Sequence, residues 1–131
     1  IQAEARSVLI SFRMNGDDPI LDEDAVRAVA LAVNELVTNA LKHAFETKAT
    51  GRIWVEYQMD KAGALTVTVD DDGVPMNNPS EGRSHMGLTF ISRLISAAGG
   101  EMTLPPTASK CFTIKLPQPA RRKQERQARP R

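Results

Sequence analysis

Residues 34–45 read Asn34-Glu35-Leu36-Val37-Thr38-Asn39-Ala40-Leu41-Lys42-His43-Ala44-Phe45. A carboxylate, an amide, an ammonium and an imidazole fall at Glu35, Asn39, Lys42 and His43. At about 100° per residue, all four share one sector of a helix. Charge beside a buried face is costly unless it is paired or bound. A hard divalent cation and a polyphosphate would satisfy this set. An amide oxygen suits Mg²⁺, an ammonium meets phosphate charge, and a carboxylate can act as a base or orient a nucleophile. The bland alternative is a solvated helix edge with i,i+4 support, Glu35 to Asn39 and Thr38 to Lys42. On this stretch alone the bland reading is the stronger.

Two further clusters shift the balance. Asp70, Asp71 and Asp72 follow a strand-like run and precede Gly73. Three adjacent carboxylates repel one another. An Asp71-x-Gly73 arrangement could hold one carboxylate against an exocyclic amine while glycine lets the backbone approach. An ordinary Asp/Gly turn is the alternative. The third cluster is Ser84-His85-Met86-Gly87-Leu88-Thr89-Phe90, where a helix opens after a polar loop. Amides at such an opening favour phosphate. An ordinary helix start capped near Ser84 is the competing reading. No G-x-x-x-x-G-K-S/T run is present, which excludes a P-loop. H-E-x-x-H, paired-cysteine and G-x-S-x-G patterns are absent too.

The elements around these residues are legible in the periodicity. Residues 7–15 read as a strand, broken by Gly16-Asp17-Asp18-Pro19. Asp22 is a plausible N-cap, with Glu23 and Asp24 favourable in the first turn. Val26, Val29, Val33, Val37, Ala40 and Ala44 recur at three- and four-residue spacing, a stripe running to about Phe45. Ala28, Ala30, Leu31 and Ala32 widen it. Residues 51–60 and 64–73 alternate around a Lys61-Ala62-Gly63 turn, the pattern of a hairpin. Residues 74–86 read as a loop, and 87–100 as a second helix stopped by Gly99 or Gly100. Two short strands follow, within 101–106 and 110–117. The order β-α-β-β-loop-α-β-β excludes a wholly parallel sheet, because hairpin strands are antiparallel. Two helices on one face of a mixed sheet is the simplest two-layer solution, an α/β sandwich.

Composition fits one globular domain. The chain has 131 residues, 41% of them hydrophobic and 25% charged, enough for a core without staples. Cys111 is the only cysteine, which fits a reducing compartment. No apolar run approaches a membrane span. The chain starts at Ile1 rather than Met, which points to a piece of a longer protein. Residues 119–131 carry a net charge of +5, and the other 118 carry −4. Such a tail can meet an acidic partner, but without interleaved aromatics a disordered, solvated terminus is expected. Nucleic-acid contact is not expected. Trp54 reads as strand packing, and Met76 and Met86 as gap fillers beside the loop.

Taken in order, the three clusters resemble the ATP-binding domain of the GHKL superfamily, the HATPase_c fold of gyrase, MutL and sensor histidine kinases. Glu35 to Phe45 looks like the N box, "VDDDGV" like the G1 box and "SHMGLTFISRL" like the G2 box. The N box, with "GRIWVEY" soon after, is most similar to the HisKA_2 group of bacterial histidine kinases. The resemblance covers about residues 7–117.

It implies a Bergerat-type α/β sandwich holding Mg-ATP over residues 1–117, with 118–131 as the basic tail. By position, Asn39 would ligate Mg²⁺ and Glu35 would help activate the phosphoryl acceptor. Lys42 and His43 would lie near the phosphates. Asp71 would take the adenine amine beside Gly73. Residues 74–86 would be the lid, and Met86, Gly87 and Leu88 would border the triphosphate. The implied activity is phosphoryl transfer from ATP to a histidine on a separate helical dimerisation domain, and onward to a response regulator. The isolated domain would be monomeric, cytoplasmic and without membrane contact.

The same resemblance admits an anti-sigma-factor serine kinase, with a sigma factor as partner, or a degenerate domain used as a protein-interaction module. Pro75 stands where the G1 pattern has glycine, and His85 where the G2 pattern has its first glycine. Ser109-Lys110 replaces the usual Gly-Thr before the last strand. These departures imply weaker nucleotide affinity or a stiffer lid.

Overall fold

A computed structural model describes residues 7–16, 22–44, 50–73, 85–103 and 111–117. Strand β1 (Ser7–Gly16) is followed by helix α1 (Glu23–Asn39), which continues as a π-helical turn over Ala40–Ala44. Strands β2 (Thr50–Met59) and β3 (Leu65–Asp71) form the expected hairpin. Helix α2 (His85–Ala97) and strands β4 (Glu101–Thr103) and β5 (Phe112–Leu116) complete the order.

The strands form one sheet in the order β1-β2-β3-β5-β4. β1 pairs with β2 in parallel, and the other three pairings are antiparallel. Alternation sorts the side chains of the three central strands. Ile53, Val55 and Met59 of β2, Leu65, Val67 and Val69 of β3, and Phe112, Ile114 and Leu116 of β5 are buried on one face. Both helices pack on that face and share a single core with it, through Ala28, Ala32 and Leu36 of α1 and Leu88, Ile91 and Ile95 of α2. The result is the two-layer α/β sandwich with helices on one face. Trp54, opposite Ser11 and Asp70 in the register, stands on the other face and is half-exposed.

Local chemistry explains the helix ends. Asp22 caps α1, its Oδ1 accepting from Ala25 N–H at 2.8 Å. Glu23 and Asp24 lie in the first turn, where the helix dipole favours anions. α2 ends in a Schellman turn. Gly100 N–H donates to Ile95 O at 2.9 Å and Gly99 N–H to Ser96 O at 3.0 Å. Gly99 has φ 90°, a conformation that side-chain-bearing residues rarely adopt.

The buried stripe of α1 differs from the valine-centred one. Ala25, Ala28, Val29, Ala32, Val33, Leu36 and Ala40 are buried, whereas Val26 is 50% and Leu31 is 41% exposed. Ala30 is exposed as well. The small alanines mark the contact line because they let the helix lie close to its neighbours. Val29, Val33, Ala40, Ala28 and Ala32 lie in the stripe as expected, but Ala25 and Leu36 belong to it where Val26, Ala30 and Leu31 do not.

The topology gathers the functional ends. β1 and β2 are parallel, so α1 returns antiparallel to both and runs alongside β3. The C-terminal ends of α1 and β3 therefore lie at the same end of the sandwich. α2 follows β3 and begins at that end.

Candidate functional site

The N-box residues occupy the last turns of α1 and the turn beyond it. Glu35, Thr38 and Asn39 are half-buried. The side-chain amide nitrogen of Asn39 is buried and has no hydrogen-bond partner among the described residues. Leaving a buried donor unmade costs about 1–3 kcal/mol. A bound ligand could supply the missing acceptor to such an orphaned donor. The same amide carries a hard carbonyl oxygen suited to Mg²⁺. Asn39 therefore fits both partners of a metal-polyphosphate complex. Among the described residues no group of three or more His, Cys, Asp or Glu converges on a metal position. Mg²⁺ commonly takes one or two protein ligands and completes its shell with phosphates and water.

The helix does not stay α to its end. Ala40 N–H points at both Leu36 O and Val37 O, and Ala40–Ala44 then winds as a π turn. The wheel that placed Glu35, Asn39, Lys42 and His43 in one sector assumed α geometry throughout. The wider i→i+5 winding leaves Glu35 and Asn39 on the α-helical part and carries Lys42 and His43 in a turn to which the 100° spacing does not apply. The Lys42 side chain is exposed. No residue type in Ala40-Leu41-Lys42-His43-Ala44 signals a π turn. Such turns recur at functional positions.

The three aspartates part company. Asp71 continues the inward row of Leu65, Val67 and Val69, while Asp70 faces outward beside Trp54. Each carboxylate takes its own backbone amide at 2.8 Å: Asp70 from Asp71, Asp71 from Gly73 and Asp72 from Arg52. Asp72 N–H in turn donates to Arg52 O at 3.1 Å, closing the β2–β3 pair beyond the last ladder position. The expected repulsion is relieved by divergence and by charge-assisted hydrogen bonds. Gly73 is buried directly after the strand. The clasp of Asp72 on Arg52 has no signature in the sequence beyond an acid after a strand.

The third cluster meets the first. A Cβ built at Gly87 would overlap Glu35 Oε1 and lie 3.0 Å from Glu35 Cδ. Gly87 is in the first turn of α2, so the Glu35 carboxylate rests beside the positive end of that helix. Met86 shares this first turn. Leu88 is 4% exposed and belongs to the core, which leaves its backbone as the part able to meet a ligand. The segment expected to form the lid, and with it Pro75 and Met76, lies outside the described residues up to position 84. The side chains of His43, His85 and Met86 also lie outside them.

The geometry assembles the N-box, G1 and G2 clusters at one end of an α/β sandwich. A family model for the histidine kinase-like ATPase domain matches residues 3–102. The chain belongs to that family. This histidine kinase-like ATPase domain is 34% identical over 102 residues to the sensor histidine kinase PdtaS of Mycobacterium tuberculosis, covering 74% of this chain and 20% of PdtaS. It is 26% identical over 112 residues to the anti-sigma F factor of Priestia megaterium, covering 76% of this chain and 74% of that factor. Among solved structures, it superposes on the histidine kinase domain of the blue-light-activated histidine kinase EL346 from Erythrobacter litoralis. The TM-score is 0.70 at 25% identity, over 87% of this chain and 54% of that one. The ATPase domain thus spans about a fifth of the sensor kinase's length and most of the anti-sigma factor's. Among its described residues no helix is long and apolar enough to cross a membrane.

Proposed function

We propose that this ATPase domain is the catalytic part of a two-component sensor histidine kinase, transferring the γ-phosphate of ATP to a histidine on a separate dimerisation domain. The observation that carries the reading is the buried amide of Asn39, which has no hydrogen-bond partner among the described residues, at the end of the sandwich where Asp71 and the opening of α2 also lie. Asn39 would ligate Mg²⁺ through Oδ1 and donate from Nδ2 to a phosphate oxygen. When bound, Mg²⁺ neutralises charge on the β- and γ-phosphates. Asp71, its carboxylate held by Gly73 N–H, would accept from the adenine amine. The first-turn amides of α2, from Met86 to Leu88, would meet the phosphates. Lys42 and His43 would approach from the π turn. Glu35 would take the proton of the acceptor imidazole and hold it in line. The chemistry asked of the protein is mainly positioning and charge neutralisation.

A second reading is an anti-sigma-factor serine kinase acting on a protein partner. It is favoured by the 26% identity over 112 residues to the anti-sigma F factor. A cytoplasmic location suits both.

Calorimetric titration with a non-hydrolysable ATP analogue, with and without Mg²⁺, tests the site. Mg-dependent binding that disappears in Asn39→Ala supports it. Unchanged binding in that variant would rule out Asn39 as the metal ligand. Supplying a histidine-bearing dimerisation domain or an anti-sigma-factor serine substrate then separates the two readings, and Glu35→Gln should slow transfer while sparing binding.

A further inference from the structure

We infer that Gly87 is a positioning residue for Glu35: the missing side chain at 87 is the space in which the Glu35 carboxylate is held. This rests on the reading of Glu35 as the group that activates the phosphoryl acceptor. Three observations carry it.

First, Gly87 is not needed for its backbone. The described glycines with positive φ are Gly16, Gly63 and Gly99, and Gly87 is not among them. It sits within a helix, where alanine is the more stable choice.

Second, the space beside Gly87 is filled by a carboxylate and not by core. A Cβ there would overlap Glu35 Oε1, with Glu35 Cδ and Cγ next nearest at 3.0 and 3.5 Å. The other crowded glycines differ in kind. Gly16 abuts the backbone of Met59, and Gly100 abuts the Leu116 side chain and the Lys115 carbonyl. At those two positions a side chain would push on the fold.

Third, the tip of a glutamate is the part most easily moved. α1 and α2 pack together through alanine, leucine and isoleucine contacts of the common core, so the helices hold their spacing. A methyl group at 87 would therefore displace the carboxylate and leave the fold in place. Glycine in this helix thus sets where the negative charge of Glu35 stands relative to the opening of α2. The usual reason for glycine at such a junction is close approach of a phosphate to the backbone. The contact with Glu35 is a separate demand on the same position.

The test is a double-mutant comparison of the unsubstituted chain, Gly87→Ala, Glu35→Ala and the double variant. In Glu35→Ala the space is open, so adding Gly87→Ala should raise the urea midpoint, as alanine normally does in a helix. In the native background the same substitution should raise it less, or lower it. A second readout reports position directly. The side-chain carboxyl carbon resonance of Glu35, identified by its loss in Glu35→Gln, should shift in Gly87→Ala while that of Glu56 does not. Equal midpoint changes in both backgrounds, or an unmoved Glu35 resonance, would overturn the inference. Titration of the unsubstituted chain with the ATP analogue is the separate control. Failure to bind it would remove the nucleotide reading, and with it the catalytic meaning of the carboxylate position, without altering the two shifts that report the contact.

Discussion

The Asp71 carboxylate accepts the amide hydrogen of Gly73 at 2.8 Å, a local clasp at the end of β3. The bond pins one carboxylate oxygen and orients the other. Asp71→Ala should therefore do two things. It should lower stability by about 1 kcal/mol, the net worth of one such hydrogen bond, read by urea unfolding. It should also weaken ATP-analogue binding at least ~10-fold, about 1.4 kcal/mol, while competition by inorganic triphosphate is unchanged. Equal loss of both ligands would mean that Asp71 does not read the base.

Asn39 predicts the opposite stability effect. Its buried amide nitrogen has no hydrogen-bond partner among the described residues. Removing an unmet donor relieves a desolvation penalty. Without nucleotide, Asn39→Ala should be neutral or more stable by up to about 1 kcal/mol, even as Mg-dependent binding is lost. A thermal melt with and without Mg-nucleotide separates the two effects.

At the other end of α1, far from the site, Asp22 caps the helix through Ala25 N–H at 2.8 Å. Asp22→Ala should lower unfolding free energy by about 1 kcal/mol. Nucleotide affinity should not change, which makes this variant a control for purely structural damage.

Gly16 ends β1 with φ 94°, and a Cβ there would run into the Met59 carbonyl. The obstacle is backbone, which cannot step aside as a side chain can. Gly16→Ala should destabilise by about 1–3 kcal/mol. Chemical unfolding checks it, and a loss below ~0.5 kcal/mol would mean that the strand end rearranges freely.

Burial pushes the Cys111 thiol above its usual range, the Asp70 carboxylate adds to the rise, and a hydrogen bond with Thr113 partly offsets it. The folded-state pKa is thus above the unfolded one. Less thiolate is present in the folded chain than in the unfolded chain at any pH near 8–9. Any stability linked to this thiol is complete below the unfolded pKa and is lost as pH rises through the folded one. Iodoacetamide should therefore modify Cys111 more slowly in the native chain than in urea. Asp70→Asn should speed the native reaction by removing the repelling charge. A native rate indifferent to Asp70→Asn would assign the protection to burial alone.

Much of this protein is written in local pattern. The cap at Asp22, the alternation of Ile53, Val55, Val67 and Val69, and the Gly99-Gly100 stop all depend on neighbours within a few residues. Short-range sterics and hydrogen bonding act there without help from the rest of the chain. The same locality made the N-box, G1 and G2 clusters visible in order, and the family with them. Where the local rule was incomplete, the reading slipped. Periodicity put Val26 in the stripe of α1, but packing buried Ala25 and Leu36 instead. The wheel ran past Asn39, where the helix widens into a π turn.

What remained belongs to tertiary structure. The apposition of Glu35 and Gly87 joins residues 52 positions apart, and no periodicity encodes it. The divergence of Asp70, Asp71 and Asp72 depends on which face of the sheet is covered. So does the unmet amide of Asn39, whose burial comes from the packing around α1. Sequence determined which groups are present and which helix or strand carries each. Only packing, which brings distant chain segments into van der Waals contact and closes off water, decided which of those groups touch, which are paired and which one waits for a partner.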